Sequence, residues 1–199
     1  MSHANSMHRL LILLMLALLA GCGKTAQPVH FHANDVTGQY QQADFQLTDH
    51  NGKPRSLVDF RGKVVVLFFG YTHCPDVCPT KLADLAQTLR LLGKDADKVQ
   101  VLFVTLDPER DTREILAQFV PAFHPAFLAL YGDLQATANA AKNFRVDYQK
   151  NPTKSGYMLD HSTFSYLIDT RGKVRLMAGE REPADQLAED IRLLLASTR

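Results

Sequence analysis

The chain has 199 residues, 46% hydrophobic and 22% charged, which is the composition of an ordinary globular protein with enough apolar side chains for one core. Its formal net charge is +1 and no long run of like charges occurs, which argues against a nucleic-acid-binding protein. Its three cysteines, Cys22, Cys74 and Cys78, exclude a framework of several disulfides.

An apolar run at residues 10–20 is too short to cross a bilayer, which takes about 20 residues, but it has the size of a signal-peptide core. It ends in Leu19-Ala20-Gly21-Cys22, which resembles a bacterial lipobox. We therefore expect a lipoprotein signal peptide at 1–21, a lipid anchor on Cys22 and a location in a bacterial cell envelope facing the periplasm. A plain secretory signal is the alternative. Residues 22–43 are expected to form a tether and residues 44–199 one domain.

The rest of the chain alternates between strand and helix patterns. Strands are predicted at 44–49, 63–69, 99–105, 128–131, 163–169 and 174–177. Helices are predicted at 79–92, from 111 or 112 to about 120, at 134–144 and from 183 onward. Asn51-Gly52 is a strong hairpin signal near the first strand. This order predicts an α/β fold with a mixed sheet flanked by helices and an N-terminal strand or hairpin extension.

Two cysteines stand where a buried strand runs into a helix pattern. Pro75 keeps Cys74 out of helical geometry, and Pro79 suits the first helical position, which places Cys78 near the N-cap. Unpaired N–H groups and the helix dipole favour thiolate there. The pair is predicted to be redox-active or to bind a metal ion, and a structural disulfide is the alternative.

Two thiolates need a further donor to complete a metal site. His161, just before a predicted strand, is the favoured histidine, whereas His73 is adjacent to Cys74 and should point the other way. The residues alone leave this choice open. Two thiolates and an imidazole suit copper, with zinc as the alternative ion.

Three segments, Gly70–Pro79, Asp107–Thr112 and Asp160–Ser162, together resemble the signatures of the Sco/SenC family. The resemblance implies a thioredoxin-like fold in which Cys74, Cys78 and His161 hold one copper ion, Cu(I) or Cu(II). It also implies that Asp107 lies close behind these ligands.

The same resemblance implies a role in assembling the dinuclear copper centre of cytochrome c oxidase subunit II. We expect a copper metallochaperone, which is not an enzyme. The alternative is a thiol:disulfide oxidoreductase that uses Cys74 and Cys78 as redox thiols to reduce the cysteines of the oxidase site. Expected partners are subunit II, a periplasmic copper donor or thiol reductant, and the membrane through the lipid anchor, but no nucleic acid. A peroxidase is disfavoured because no arginine is evident beside Cys74.

Overall fold

Ten strands and four α-helices follow one another along residues 29–197, the part of the chain that the computed structural model describes. The strands are β1 Asn34–Asp35, β2 Leu47–Asp49, β3 Pro54–Arg55, β4 Val64–Gly70, β5 Val99–Thr105, β6 Leu128–Tyr131, β7 Tyr148–Thr153, β8 Gly156–His161, β9 Ser165–Ile168 and β10 Val174–Ala178. The helices are α1 Val77–Leu92, α2 Arg113–Phe119, α3 Leu134–Asn143 and α4 Ala184–Ser197. Short 3₁₀ helices at Leu57–Phe60 and Gly93–Lys98 precede β4 and β5. The predicted signal peptide and Cys22 lie outside the described residues.

Eight strands form one mixed sheet in the order β1-β10-β9-β4-β5-β6-β2-β3. β5 pairs in parallel with both β4 and β6, and the other neighbours are antiparallel. β4 is buried at every position, as its continuous apolar sequence predicts for a strand covered on both faces. The predicted α/β fold, a mixed sheet flanked by helices, is confirmed.

The N-terminal extension is larger than the sequence indicates. The Asn51-Gly52 turn joins β2 and β3, as predicted, and Gly52 takes the left-handed backbone conformation that the turn requires. Further upstream, β1 pairs with β10, and the backbone N–H of Ala33 donates to the buried Asp190 carboxylate in α4 at 2.8 Å. Residues 33–35 of the predicted tether at 22–43 therefore contact the domain, and the predicted domain boundaries stay predictions.

A hairpin of β7 and β8, which was not predicted, forms a second, two-stranded sheet. β7 has no buried residue and β8 has one, Leu159, so neither strand shows a clear apolar alternation. His161 is the last residue of β8, whereas the sequence placed it in a loop. None of the helices within residues 29–197 has both the length and the apolar character needed to cross a membrane.

Candidate metal centre

The turn between β4 and α1 carries both cysteines. The sequence places Cys78 near the N-cap, whereas the helix begins at Val77 with Asp76 as its N-cap. Cys78 thus lies in the first turn of the helix, where Pro79 is tolerated because its missing N–H has no helical partner there. Cys74 precedes the cap, and its Sγ accepts a hydrogen bond from the Cys78 backbone N–H at 3.3 Å. The Cys74 sulfur therefore occupies the positive end of the helix dipole.

The two thiols have opposite protonation tendencies. The pKa of Cys74 is lowered to about 4, chiefly by a hydrogen bond from the Cys78 thiol, with further help from backbone N–H groups and against the effect of burial. The pKa of Cys78 is raised, because its proton is held by the Cys74 thiolate and because its side chain is fully buried. The metal-free pair is one half-buried thiolate beside one buried thiol. The thiolate that the sequence predicts at the helix N-terminus is therefore Cys74 and not Cys78.

His161 turns its ring toward these sulfurs. Its Nε2 lies 3.7 Å from Cys78 Sγ, although 83 positions separate the residues. Its Nδ1 lies 2.9 Å from the carbonyl oxygen of Ser162, which only accepts, so Nδ1 carries the proton. Nε2 is then left with a free lone pair facing the thiols, the tautomer in which a histidine binds a metal. The rings of Phe68 and Tyr71 meet the imidazole edge-on at 6.4 and 5.9 Å between centroids.

One pair in the candidate donor set has the spacing of metal ligands. An ion about 2.3 Å from a thiolate and about 2.0 Å from an imidazole nitrogen keeps these two ligand atoms roughly 3.5–3.7 Å apart. The separation of Cys78 Sγ and His161 Nε2, 3.7 Å, matches that value without rearrangement. Gly70 supplies room for the sulfur, because a Cβ on it would lie only 2.8 Å from Cys78 Sγ.

His73, which the sequence leaves out of the donor set, faces a buried carboxylate. Its Nδ1 is 3.7 Å from a carboxylate oxygen of the buried Asp111. That carboxylate also accepts from the N–H and the hydroxyl of Thr72, at 3.0 and 2.5 Å, and from the Thr105 hydroxyl at 2.6 Å. His73, Asp107 and Asp111 bring potential ligand atoms within 4.8 Å of one another, but both carboxylates are occupied by protein donors. Asp111 thus holds the thiol turn through Thr72, and neither threonine was singled out from the sequence.

Asp107 lies at the start of the loop after β5 and is fully buried. One of its carboxylate oxygens accepts from the Tyr157 hydroxyl and the other from Arg110 Nε, both at 2.6 Å. It therefore touches the hairpin that ends in His161. Tyr157 and Arg110 were not singled out from the sequence, because the hairpin itself was not predicted.

Comparison with known proteins gives one consistent result. A model of the SCO1/SenC family matches residues 34–196. The mouse protein SCO2 homolog, mitochondrial, is 42% identical over 160 residues, which cover 78% of this chain and 63% of the mouse protein. A structure of Bradyrhizobium japonicum ScoI with copper bound is 40% identical with a TM-score of 0.71, covering 76% of this chain and 97% of that one. Apo Sco1 from Thermus thermophilus gives 36% identity and a TM-score of 0.73, with 84% and 99% of the two chains covered.

These comparisons confirm the family resemblance and the thioredoxin-like fold. The match accounts for less than two thirds of the length of the mouse relative, at 63%. They contradict the expected location of a lipid-anchored protein in a bacterial envelope facing the periplasm, because the mouse relative is named as mitochondrial. The signal peptide and the lipidation of Cys22 stay predictions from the sequence.

Proposed function

The chain belongs to the SCO1/SenC family, and from this premise we propose that it is a copper metallochaperone acting in the assembly of cytochrome c oxidase. In this proposal Cys74, Cys78 and His161 bind one copper ion. The chain then passes the ion to the dinuclear copper site of subunit II. The observation that carries the proposal is the approach of the His161 imidazole, with its lone pair free, to a thiolate–thiol pair.

The number and softness of the donors favour copper over zinc. Thiolates and imidazole suit Cu(I), and structural zinc is almost always held by four protein ligands. The proposed set has three donors, and two of their ligand atoms, Cys78 Sγ and His161 Nε2, lie 3.7 Å apart. The copper-bound structure of the Bradyrhizobium relative supports the same ion.

The candidate site is open to solvent on two sides, which suits a carrier that must release its ion. Cys74 is only partly buried, and His161 lines an open groove of about 550 Å³ together with Asp147, Tyr148 and Gln149. Ligands of a docked partner can therefore approach the ion from the thiol side or the imidazole side. Release then proceeds by exchange of one ligand at a time, without unfolding of the domain.

A thiol:disulfide oxidoreductase is the second candidate, and the opposite protonation of the two thiols favours it. The Cys74 thiolate attacks a disulfide in the target, forms a mixed disulfide and releases one target thiolate. Cys78 then loses its proton and attacks the Cys74 sulfur, which releases the second target thiol. The target is reduced by two electrons, this chain is left with a Cys74–Cys78 disulfide, and a separate thiol reductant must restore it.

One pair of histidine variants tests the copper proposal. The reduced domain should bind one copper ion and, with Cu(II), show intense thiolate-to-copper absorption. His161→Ala should weaken Cu(II) binding by two orders of magnitude or so and change this absorption, because it removes one of three ligands. His73→Ala, next to Cys74 but facing Asp111, should leave both unchanged. Unaltered binding in His161→Ala, or an equal loss in His73→Ala, would show that the ligand set is wrong.

The same variants separate the two functions. Disulfide exchange needs both thiols but not the imidazole, so metal-free His161→Ala should still reduce an oxidised peptide of the subunit II copper loop if the second function operates. Cys78→Ser should then trap a mixed disulfide through Cys74. If the wild-type domain binds copper but Cys78→Ser traps no such adduct, the protein is a chaperone only.

A further inference from the structure

The β7–β8 hairpin delivers the imidazole to the thiols, yet it lies outside the main sheet. Side chains at alternate positions of a strand point to the same face, so Tyr157, Leu159 and His161 share one face of β8. Leu159 is buried, and its backbone N–H donates to the Tyr71 hydroxyl at 3.3 Å. A slip of one residue in this strand would turn His161 away from the sulfurs. The orientation of the imidazole therefore depends on whatever fixes this face.

Tyr157 fixes this face of β8 through contacts with the loop after β5. Its hydroxyl donates to Asp107 at 2.6 Å, and its carbonyl oxygen accepts from Arg110 Nη1 at 3.0 Å. The Arg110 guanidinium also lies 3.7 Å from the centre of the Tyr157 ring, a cation–π distance. Lys150 Nζ lies 4.6 Å from the same ring centroid and pairs with Glu109. One tyrosine is thus held by a hydrogen bond, a backbone contact and two cations.

The same loop also holds the thiol turn. Residues 107–111 form a tight turn in which the Asp111 N–H donates to the Asp107 carbonyl at 2.9 Å. The Asp107 carboxylate accepts a hydrogen bond from Tyr157 in the hairpin. The Asp111 carboxylate accepts one from the backbone N–H of Thr72, two residues before Cys74. Both carboxylates are essentially inaccessible to solvent. A single short loop therefore connects the two segments that carry the ligands.

We infer that residues 107–111 form a bracket that sets the distance between the thiols and the His161 imidazole. Tyr157 and Arg110 act as positioning residues for His161. This inference rests on the proposed copper site and deepens it, since it assigns the control of ligand spacing to residues that do not touch the ion. Loosening the Tyr157 contact should weaken copper binding through His161 alone and leave the two thiols in place.

Tyr157→Phe is the most selective test, because it removes the hydroxyl and keeps the ring that contacts both cations. Cu(II) affinity should fall about tenfold, the size expected for loss of one hydrogen bond to a charged group. In a His161→Ala background the same change should cost nothing further, because the hydroxyl acts through the imidazole. Tyr131→Phe, a half-buried tyrosine in β6, is the matched control and should have no effect. Arg110→Lys, which keeps the charge but loses the planar fork, provides a second variant should Tyr157→Phe fold poorly.

A measurement without metal keeps the inference independent of the copper proposal. In the reduced metal-free protein, Tyr157→Phe should speed amide exchange across β7–β8 and shift the NMR signals of the His161 ring, while Tyr131→Phe does neither. Unchanged exchange and ring signals would overturn the bracket. So would an equal loss of copper affinity with and without His161. If His161→Ala binds copper like the wild type while the exchange results hold, the ligand assignment fails and the bracket stands as a structural link.

Discussion

Gly70→Ala should displace the buried sulfur of the proposed copper site. A Cβ at this position would lie 2.8 Å from Cys78 Sγ, 2.9 Å from Phe103 Cε2 and 3.1 Å from Phe68 Cε1. Comfortable contacts are about 3.5–4.0 Å, so the sulfur or its neighbours must move by roughly 0.7 Å or more. All three contacted side chains are fully buried, which leaves no free direction for relief. Overpacking of this kind costs about 1–3 kcal/mol of folding free energy.

The assay for Gly70→Ala has two readouts. Urea unfolding of the reduced, metal-free protein should show the loss of about 1–3 kcal/mol. A competition titration with a Cu(I) chelator should show roughly tenfold weaker binding, which corresponds to about 1.4 kcal/mol of strain in the metal-bound site. Gly179→Ala is the matched control: no atom lies within 4 Å of its added Cβ, and its stability should stay within about 0.5 kcal/mol of wild type. Wild-type stability and copper affinity in Gly70→Ala would refute the view that this glycine makes room for Cys78.

Two further predictions concern the thiol turn. In the reduced, metal-free protein, iodoacetamide should alkylate Cys74 at a rate that is nearly constant from pH 6 to pH 8. The rate should fall as the pH approaches the Cys74 pKa of about 4, because the depressed pKa keeps the thiolate populated above that pH. Buried Cys78 should remain unmodified throughout, and a Cys74 rate that rises tenfold per pH unit up to pH 8 would contradict the assignment. Asp111→Ala should lower the free energy of unfolding by about 2–4 kcal/mol in urea, because it strands the Thr72 N–H and two threonine hydroxyls. The exposed Asp97→Ala serves as its control, and a loss below about 0.5 kcal/mol would show that water replaces the carboxylate at little cost.

The central strands were predictable because their chemistry is local. The uninterrupted apolar runs of β4 and β5 have no stable placement other than the middle of a covered sheet. The start of α1 was misplaced because proline is tolerated anywhere in the first turn of a helix, so Pro79 did not mark the first residue. β1 was missed because two exposed residues, Asn34 and Asp35, pair with β10 through backbone alone.

The site was only partly visible in the sequence. A strand leading into two close cysteines at a helix start indicated reactive thiols without any further information. The approach of His161 to the thiols was not predictable from the residue pattern. The hairpin that carries His161 is anchored by Tyr157 and Leu159 and not by a regular apolar face. The family motifs supplied that residue. The connection of Asp107 to the hairpin and of Asp111 to Thr72 depends on tertiary contacts 39 or more positions apart in sequence.

X-ray absorption spectroscopy of the reduced domain loaded with one copper ion tests the proposed ligand set most directly. The wild-type spectrum should fit two sulfur scatterers and one imidazole nitrogen, and the imidazole contribution should vanish in His161→Ala while it persists in His73→Ala. A copper shell with no imidazole, or one that keeps its imidazole after His161 is removed, would contradict the assignment of Cys74, Cys78 and His161 as the copper ligands.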